Sequence, residues 1–298
     1  MNQRPVSLSD VAKAAGVSLA TASRAMNSAY GVAPKTRDRV LAAAARLDFV
    51  ASPDARTLAS GGSSRRVALI VSHINRWFFG QMVDGIERIT AGADIDLLLY
   101  HVDDEEHRRG FFERLPARRK VEAMVIVAFP VDEGESRRLN LMGVDIIAAG
   151  GQSAHYPHVC IDDYAASRQA VDHLTSRGHR RIAMLSAHEP AVPDWPSFPG
   201  RQRGYFDALA AVGVEPEPGW TREVDWGEAA AARATDELLD SDAAPLGLST
   251  VRQPVREQGE IVGRMVLQAL GIEGDGIDPR SVIVPTELIA RRSTDVRR

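Results

Sequence analysis

The stretch from Leu8 to Asn27, LSDVAKAAGVSLATASRAMN, predicts two short helices joined by a tight turn, and it constrains the fold more than any other stretch. Ser7 can cap the first helix, because Asp10 follows three residues later and completes a capping box. Gly16 stands where glycine commonly ends a helix, and Ser18 can cap the second helix. This arrangement is typical of a helix-turn-helix, whose second helix lies in the DNA major groove.

Helical spacing assigns an inner and an outer face to the predicted second helix. Ala22, Ala25 and Met26 turn inward. The five side chains left on the outside are Leu19, Ala20, Thr21, Ser23 and Arg24. An alanine-rich helical hairpin without any DNA contact would show the same spacing, so the spacing alone leaves both interpretations open.

The identity of the residues favours DNA binding. The pattern DVAxxAGVSxxTxSRxxN resembles the helix-turn-helix of the LacI/GalR family of bacterial repressors, and nearly every position of that motif is filled. The resemblance implies that Arg24 reads a base, which fits the preference of arginine for guanine. It implies that Leu19 and Ala20 occupy the two positions that vary with operator sequence. It also implies phosphate contacts, which set register rather than sequence, for Thr21, Ser23 and Asn27.

A third helix is predicted from Pro34, because proline suits the first helical position. The apolar stripe of Val40, Leu41, Ala44 and Leu47 is predicted to pack on the first two helices. The residue before the proline is an alanine where the family usually carries Ser or Thr, so a weaker cap is expected. Residues 1–48 are therefore interpreted as an all-α helix-turn-helix headpiece.

Residues 49–66 follow as a hinge helix and linker in the resemblance, ordered when two subunits bind operator DNA. Ser52 can cap such a helix, and the run Gly61–Ser64 is a flexible exit. Leu58 matches the leucine that wedges into the minor groove and kinks the duplex. The alternative is that Leu58 is an ordinary apolar linker residue, and the surrounding ARxLAxG pattern favours the wedge.

The charge distribution agrees with a DNA-binding head. The whole chain of 298 residues has a net charge of −4. Residues 1–66 contain ten Lys or Arg and four Asp or Glu, a charge of +6, which leaves −10 for the remainder. A basic head on an acidic body is the electrostatic footprint of a nucleic-acid-binding module attached to another domain.

From Val67 the sequence alternates apolar strands and amphipathic helices. Four buried parallel strands are predicted, at 67–71, 95–101, 123–129 and 144–150. A second set of strands and helices follows, with strands at 181–186 and 222–226 and helices near 164–177, 201–213, 228–240 and 253–270. This alternation predicts an α/β fold. In the resemblance, residues 67–298 form a periplasmic-binding-protein-like sensor and dimerisation domain of two parallel-sheet subdomains.

The resemblance breaks at one place, between Pro245 and Leu246. Family chains normally continue from the helix ending near Asp240 through a strand, a helix and a second strand, whereas DSDAAP here runs straight into LGLSTVRQP. The missing piece is roughly 40–50 residues at about 30 per βαβ unit. The C-terminal subdomain is therefore expected to be incomplete, and the effector response to be damaged or rewired.

Aromatic and polar residues near strand ends suggest a small-molecule cleft. Aromatic faces with a few orienting polar groups are the usual chemistry of such pockets. Arg201 matches the arginine of the family's R-x-x-G-[FYW] motif, a clamp for hydroxyls or carboxylates. Trp226 matches an aromatic that stacks on the ligand. Asn75, Phe78 and Phe79 follow the first strand. Core packing for Phe79 and a surface position for Arg201 are the alternatives.

Other classes of protein receive little support from the sequence. The eight histidines show no metal-ligand spacing, and neither a GxSxG elbow nor a P-loop is present, so neither an enzyme nor a metal or cofactor site is predicted. The single cysteine, Cys160, fits a reducing cytoplasm and a buried strand. No apolar run approaches the roughly 20 residues of a membrane helix, and the N-terminus lacks the core of a signal peptide, which argues against a periplasmic sugar-binding protein.

These observations predict a cytoplasmic, homodimeric transcription regulator. It is expected to act as a repressor that binds a pseudo-palindromic operator and responds to a sugar or related metabolite. The alternative is a ligand-insensitive or defective DNA-binding protein, because part of the sensor is missing.

Overall fold

The computed structural model describes residues 6–26, 31–49, 65–128, 130–151, 153, 155–188, 198–217, 219–225, 229–231, 233–234, 250–272, 281–291 and 294. The chain divides into two compact units, Met1–Arg65 and Arg66–Arg298. No helix within the described ranges is long and apolar enough to cross a membrane.

The headpiece contains three helices, α1 (Leu8–Ala15), α2 (Leu19–Met26) and α3 (Pro34–Arg46). The predicted capping box of α1 is present, because the Asp10 amide donates to Ser7 Oγ over 3.3 Å and the Ser7 amide donates to Asp10 Oδ2 over 2.9 Å. Gly16 ends α1 with φ of +62°, a left-handed conformation that glycine adopts without steric cost. The turn between α1 and α2 is therefore defined by its own sequence.

The apolar faces of the three helices meet in a small core. Its fully buried members are Val11, Ala12, Ala15, Ala22, Ala25, Val40, Ala43 and Ala44. The predicted stripe on α3 was wrong in one place, because Leu41 is 43% exposed and Ala43 is buried instead. Ala33 makes no capping hydrogen bond, as its side chain predicts.

The second unit is built on a six-stranded parallel sheet in the order β2-β1-β3-β4-β5-β9. Its strands are β1 (Arg66–Val71), β2 (Asp96–His101), β3 (Ala123–Val127), β4 (Asp145–Ala149), β5 (His158–Cys160) and β9 (Ser281–Ile283). The four strands predicted from apolar runs are confirmed to within two residues. β9 was not predicted, because three residues are too few for a periodic pattern.

Helices cover both faces of this sheet. The helices of the first half are α4 (Trp77–Thr90), α5 (Glu105–Arg114) and α6 (Glu133–Asn140), and α9 (Val255–Ala269) returns to the same sheet. One apolar cluster joins α4 and α9 to residues such as Leu69 and Val125. A second cluster joins α5 and α6 to residues on the opposite face, such as Ile70 and Met124. Burial on both faces explains why the central strands β1, β3 and β4 read as continuous apolar runs.

Two helix pairs cross so closely that only glycine fits at the contact. A Cβ on Gly259 of α9 would lie 2.4 Å from the carbonyl oxygen of Met82 in α4. A Cβ on Gly204 would likewise lie 2.4 Å from the carbonyl oxygen of Tyr164. Tyr164 and Gly204 belong to the second helix pair, which consists of α7 (Asp163–Ser176) and α8 (Phe198–Ala210).

The remaining strands form two small sheets. β6 (Met184–His188) and β7 (Thr221–Asp225) pair in parallel, and β8 (Thr250–Arg252) pairs antiparallel with β10 (Glu287–Ile289). The strand predicted at 181–186 begins three residues later, at Met184. The helix predicted at 228–240 and the junction between Pro245 and Leu246 lie mostly or wholly outside the described residues.

Candidate DNA-binding surface and effector cavity

The outer face of α2 carries the side chains predicted to meet DNA. Leu19 is 55% exposed, and Ala20 and Arg24 are also exposed. Thr21 and Ser23 are half-buried. Two other predicted DNA contacts, Asn27 and Leu58, lie outside the described residues.

The start of α2 is held by its own side chains. The Thr21 amide donates to Ser18 Oγ over 3.1 Å, and the Ser18 and Thr21 hydroxyls lie 2.8 Å apart within hydrogen-bond distance. Ser18 therefore caps α2 as predicted. A fixed first turn presents the outer face of α2 as a rigid surface, which is what a helix needs when it enters a groove.

A cavity of about 650 Å³ lies in the second unit. Ala128, Gly150 and Ile161 line it, and each follows directly after a strand of the six-stranded sheet. Ligands of open parallel sheets bind at the carboxyl ends of the strands. The cavity has the position and the size of a small-molecule site, since such pockets measure roughly 300–1,000 Å³.

The first turn of α4 supplies the aromatic wall of the cavity. Trp77, Phe78 and Phe79 all line it. Trp77 is 66% exposed, whereas Phe79 is 3% exposed and packs edge-on against Phe78 with ring centroids 5.5 Å apart. Gly150 has φ of +75°, and a Cβ there would lie 2.5 Å from Phe78 Cζ, so glycine leaves room for this ring.

Arg201 forms an ion pair at the cavity wall. Its Nε donates to Asp163 Oδ1 over 2.7 Å, and its backbone carbonyl accepts a hydrogen bond of 2.7 Å from Ser167 Oγ. Burial raises the pKa of Asp163, and the charge of Arg201 opposes that rise. The pair holds the guanidinium in place while its Nη groups, which the bond to Asp163 does not use, remain as donors.

Further lining residues, most of them polar, come from the returning part of the chain. The two strands β8 and β10 and the residues beside them contribute Thr250, Val251, Arg252, Gln253, Ile289 and Arg291, and α9 contributes Gln258. Arg252 donates to Glu287 across the two strands. Gln258 is 1% exposed, and its Nε2 has no hydrogen-bond partner among the residues that the structure describes.

Only some of the predicted effector residues line the cavity. Phe78, Phe79 and Arg201 line the cavity, and Phe79 is at the same time part of the apolar core. Asn75 is exposed and is not part of the lining. Trp226 lies outside the described residues. The roles of these residues stay predictions.

Sequence reasoning missed most of the lining, because only Phe78, Phe79 and Arg201 of its sixteen described residues were predicted. The residues after β3, β4 and β5 could have been found from the rule that parallel sheets bind ligands at their carboxyl edge. Arg252, Gln258 and Arg291 carried no such signal, because β8 and β10 have three residues each and Gln258 occupies a helical position that reads as core.

An acidic cluster outside the cavity has a structural explanation. Asp103, Asp104 and His107 are grouped at the start of α5, with potential ligand atoms within 4.8 Å of one another. Asp104 caps the helix by accepting from the His107 amide over 2.7 Å, and the side-chain hydrogen bond that His107 Nδ1 donates to Asp103 Oδ1 raises the pKa of His107. Capping and this hydrogen bond account for the arrangement without an ion.

Comparisons with known proteins match both units. Residues 7–52 match "Bacterial regulatory proteins, lacI family". Residues 64–246 match "Periplasmic binding proteins and sugar binding domain of LacI family", and residues 234–294 match "Periplasmic binding protein-like domain".

Curated relatives are regulators. The chain is 31% identical to the transcriptional regulator RafR of Escherichia coli over 82% of this chain and 72% of that protein. It is 28% identical to catabolite control protein A of Priestia megaterium over 82% and 73%. The regulator pepR1 of Lactobacillus delbrueckii subsp. lactis is 23% identical, and the alignment covers 99% of this chain and 99% of that protein.

Solved structures show the same fold. The lac repressor dimer bound to operator and the anti-inducer ONPF has a TM-score of 0.78 at 22% identity, covering 98% of this chain and all of that one. A complex of the transcriptional regulator CelR with cellobiose has a TM-score of 0.64 at 23% identity, covering 97% and 100%. The helix-turn-helix and the parallel-sheet domain thus occur together in both groups of relatives. The chain belongs to the LacI family of bacterial regulatory proteins.

Proposed function

We propose that this regulator is a cytoplasmic repressor that binds pseudo-palindromic operator DNA as a homodimer and responds to a small metabolite. The observation that carries the proposal is the capped helix α2, which presents Leu19, Ala20 and Arg24 outward from a basic headpiece attached to a domain with a ligand-sized cavity. The lac repressor, a fold neighbour, was solved as a dimer on its operator, which supports the same assembly here.

Each exposed side chain of α2 has a proposed role. Arg24 reads a guanine, since bidentate contact of arginine with guanine is the commonest specific contact. Leu19 and Ala20 fit against thymine methyl groups. Contacts to the phosphates come from Thr21, Ser23 and Asn27, and Leu58 wedges into the minor groove. Residues 1–48, 49–66 and 67–298 act as headpiece, hinge and sensor.

In this proposal, ligand binding in the cavity and operator binding by the headpiece are thermodynamically coupled. A ligand that binds the cavity and lowers operator affinity must itself be bound less tightly when operator is present, by the same factor. Phe78, Phe79, Arg201 and Trp226 are the effector contacts of the proposal. Asn75 is retained only as a residue near the cavity, because it is exposed and does not form part of the lining. The complex of CelR with cellobiose supports a sugar-like effector.

A ligand-insensitive or defective DNA-binding protein is the second candidate function. Two observations favour it. The match to the sugar-binding domain ends at residue 246, where the resemblance breaks. The alignment with pepR1 runs over 334 positions, 36 more than the 298 residues of this chain. An internal deletion after Pro245 would explain both the end of the match and the extra aligned positions. The sensor would then lack strands and a covering helix.

The proposed function is tested by fluorescence anisotropy with the full-length protein. The probes are a palindromic duplex from the gene's own upstream region and a scrambled duplex, each across a salt series. Specific binding is expected to exceed scrambled binding by on the order of 10³-fold or more. Weak binding, equal for both duplexes and falling steeply with salt, would leave only the non-specific headpiece.

The variant Arg24→Ala tests the proposed base contact directly in the same experiment. Loss of a bidentate base contact is expected to reduce discrimination between the duplexes by about 5- to 150-fold, since such a contact contributes about 1–3 kcal/mol. Arg46→Ala is the matched control, because it removes an exposed arginine of the same headpiece from the last turn of α3 rather than from α2. The base-reading role of Arg24 is wrong if both variants discriminate as the wild type does.

A further inference from the structure

Gln258 is a polar residue at a helix position where an apolar residue is expected. The buried face of α9 begins at Val255 and repeats at the i+3, i+4, i+7 and i+8 spacing of one helix face. Gln258 occupies the i+3 position and is 1% exposed. The other members of that face are apolar residues or glycine, namely Gly259, Val262, Gly263, Met265 and Val266. A buried polar side chain is the informative exception on such a face.

The amide of Gln258 is not satisfied by the described part of the protein. Its Nε2 is buried and has no hydrogen-bond partner among the described residues. Such a group is costly, because the donor has lost its bonds to water without gaining others. Gln258 is also one of the residues that line the cavity. A molecule in the cavity could therefore supply the missing acceptor.

The backbone at Gln258 is held in place, so a shift of α9 cannot bring the side chain out to solvent. A Cβ on Gly259 would collide with the carbonyl oxygen of Met82, and a Cβ on Gly85 would collide with that of Arg256. The helices α4 and α9 thus touch backbone to backbone at positions that flank Gln258. The terminal torsion of glutamine is broad, so the amide can turn its donor toward the cavity while the helix stays where it is.

The charged side chains of the cavity wall already have partners. Arg201 pairs with Asp163, and Arg252 pairs with Glu287. The other two arginines of the lining also have interaction partners. A charged group of a ligand would lose its hydration there without meeting an uncompensated opposite charge, which is unfavourable. The described wall is therefore suited to a neutral ligand, whose oxygens need hydrogen bonds rather than ion pairs.

We propose that Gln258 is a specificity-determining residue of the effector cavity, and that its Nε2 donates a hydrogen bond to a hydroxyl or ring oxygen of a neutral, sugar-like effector. This inference rests on the proposed function and adds to it a residue that selects the ligand. A site built to hydrogen-bond an oxygen rejects molecules that lack it, because its own polar group is then left unpaired. The protein without ligand carries the same unpaired amide, so Gln258 lowers its stability.

Thermal melting of the full-length protein without ligand is the first test. Methionine is unbranched like glutamine but has no amide. Gln258→Met is therefore expected to raise the melting temperature of the second unit by about 2–10 °C. A residue with a purely structural role would show the opposite sign. Gln169→Met is the matched control, since the buried Oε1 of Gln169 also lacks a partner among the described residues, but Gln169 does not line the cavity.

Calorimetric titration of the same three proteins measures ligand selection. The probes are D-glucose, D-galactose and cellobiose, with D-glucuronate as a charged analogue of glucose. At least one of the neutral sugars is expected to bind the wild type, and D-glucuronate is expected to bind more weakly than that sugar. Gln258→Met is expected to weaken binding of the sugar by on the order of tenfold. Gln169→Met is expected to bind it as the wild type does.

Four results would each overturn the inference. The first is a Gln258→Met protein that melts at or below the wild-type temperature, which includes a variant that does not fold. The second is that no neutral sugar binds, and the third is that D-glucuronate binds most tightly. The fourth is a Gln258→Met protein that binds the sugar as tightly as Gln169→Met does.

Operator discrimination, measured by fluorescence anisotropy on the same preparations, separates this inference from the proposed function. If the wild type and both variants discriminate, and the sugar affinity of Gln258→Met is unchanged, the proposed function stands and the role of Gln258 is wrong. If the wild type does not discriminate, the proposed function is wrong, and the melting temperatures and sugar affinities still decide the role of Gln258.

Discussion

The six-stranded sheet and the β6–β7 pair arise from the same alternation of strands and helices, but they differ in how fully they are covered. Every residue of β3 is buried, and so is all of β1 after Arg66. In β7, by contrast, exposed and half-buried residues alternate. Among the described residues, the apolar cluster beside that pair has five buried members, Val171, Ile182, Tyr205, Ala208 and Leu209.

This difference teaches that a repeated sequence pattern does not guarantee a repeated core. A parallel strand is stable when helices cover both of its faces, and the central strands β1, β3 and β4 of the six-stranded sheet meet that condition through α4, α9, α5 and α6. In the described part of the chain, the β6–β7 pair is joined by α8 and packed with α7. The stability of the second unit should therefore be concentrated in its larger sheet.

Truncation of one core residue in each region gives the largest expected effect. Ile126→Ala in β3 and Leu209→Ala in α8 both remove side chains that are at most 1% exposed, so each is expected to cost about 2–5 kcal/mol. Because the smaller cluster has few other members, Leu209→Ala is expected to unfold the β6–β7 region at a denaturant concentration that leaves the larger sheet folded. Urea titration followed by circular dichroism and by hydrogen exchange of each region measures this.

Val212→Ala is a suitable control for that comparison, because Val212 lies just beyond α8 and is 40% exposed. It is expected to change stability by about 0.5 kcal/mol or less. If Leu209→Ala instead unfolds the whole second unit in one transition, as Ile126→Ala is expected to do, the two regions form a single cooperative core and the contrast drawn from their burial is wrong.

The glycine contacts give the next largest effect and compare the two regions through their helix pairs. Gly259→Ala forces a Cβ against the backbone of α4, and Gly204→Ala forces one against the backbone of α7. Backbone atoms have little freedom to move aside, so each substitution is expected to cost about 1–3 kcal/mol or more. Thermal melting is the measurement, and the loss at Gly259 should lower the stability of the larger sheet as well.

Gly80→Ala provides the matched control for both substitutions. Gly80 also lies in a helix, α4, but no atom of the described residues lies within 4 Å of a Cβ built there and its φ is not positive. Alanine is a better helix former than glycine, so Gly80→Ala is expected to stabilise the protein by about 0.5–1 kcal/mol. If Gly204→Ala is as harmless as this control, then α7 and α8 can separate and the smaller region is looser than its contacts indicate.

The parts of the fold that the sequence predicted are those whose signals are local. Ser7, Gly16, Ser18 and Pro34 each determine a helix end through nearby backbone groups, and the structure has them in those roles. Long apolar runs likewise predicted β1 and β3. The error at Leu41 arose because Val40, Ala43, Ala44 and Leu47 follow the i, i+3, i+4, i+7 spacing of one helix face, whereas Leu41 lies about 100° around the helix from Val40 and is exposed.

The candidate site was less predictable because its residues meet only through the fold. Arg201 was identified by a motif, but the pair that it forms with Asp163 joins α8 to the start of α7. Arg252 and Arg291 come from strands of three residues or from beside them, which show no periodicity. Gln258 is a polar residue on the buried face of a core helix, and its sequence position does not indicate that it lines a cavity.

The smallest expected effect concerns Cys160, which lies in β5 of the larger sheet. The pKa of its thiol depends in part on charges at the start of α7, the first helix of the smaller region. Burial raises the pKa of its thiol from the ordinary value of 9.0 to about 11, and the charges of Asp163 and Asp162 add to the rise. Because the folded thiol holds its proton more tightly than the unfolded one, its contribution to stability is fully present below about pH 9. That contribution is lost as the pH rises toward 11, by on the order of 1–3 kcal/mol.

Cys160→Ala isolates this contribution from the tyrosines that titrate in the same range, because they are common to both proteins. The free energy of unfolding of the wild type should fall more steeply between pH 9 and 11 than that of the variant. Asp162→Asn should reduce the difference slightly, because the charge of Asp162 contributes to the raised pKa of the Cys160 thiol. Equal slopes for the wild type and Cys160→Ala would mean that β5 is open to solvent, and the larger sheet would then end at β4 rather than continue to β9.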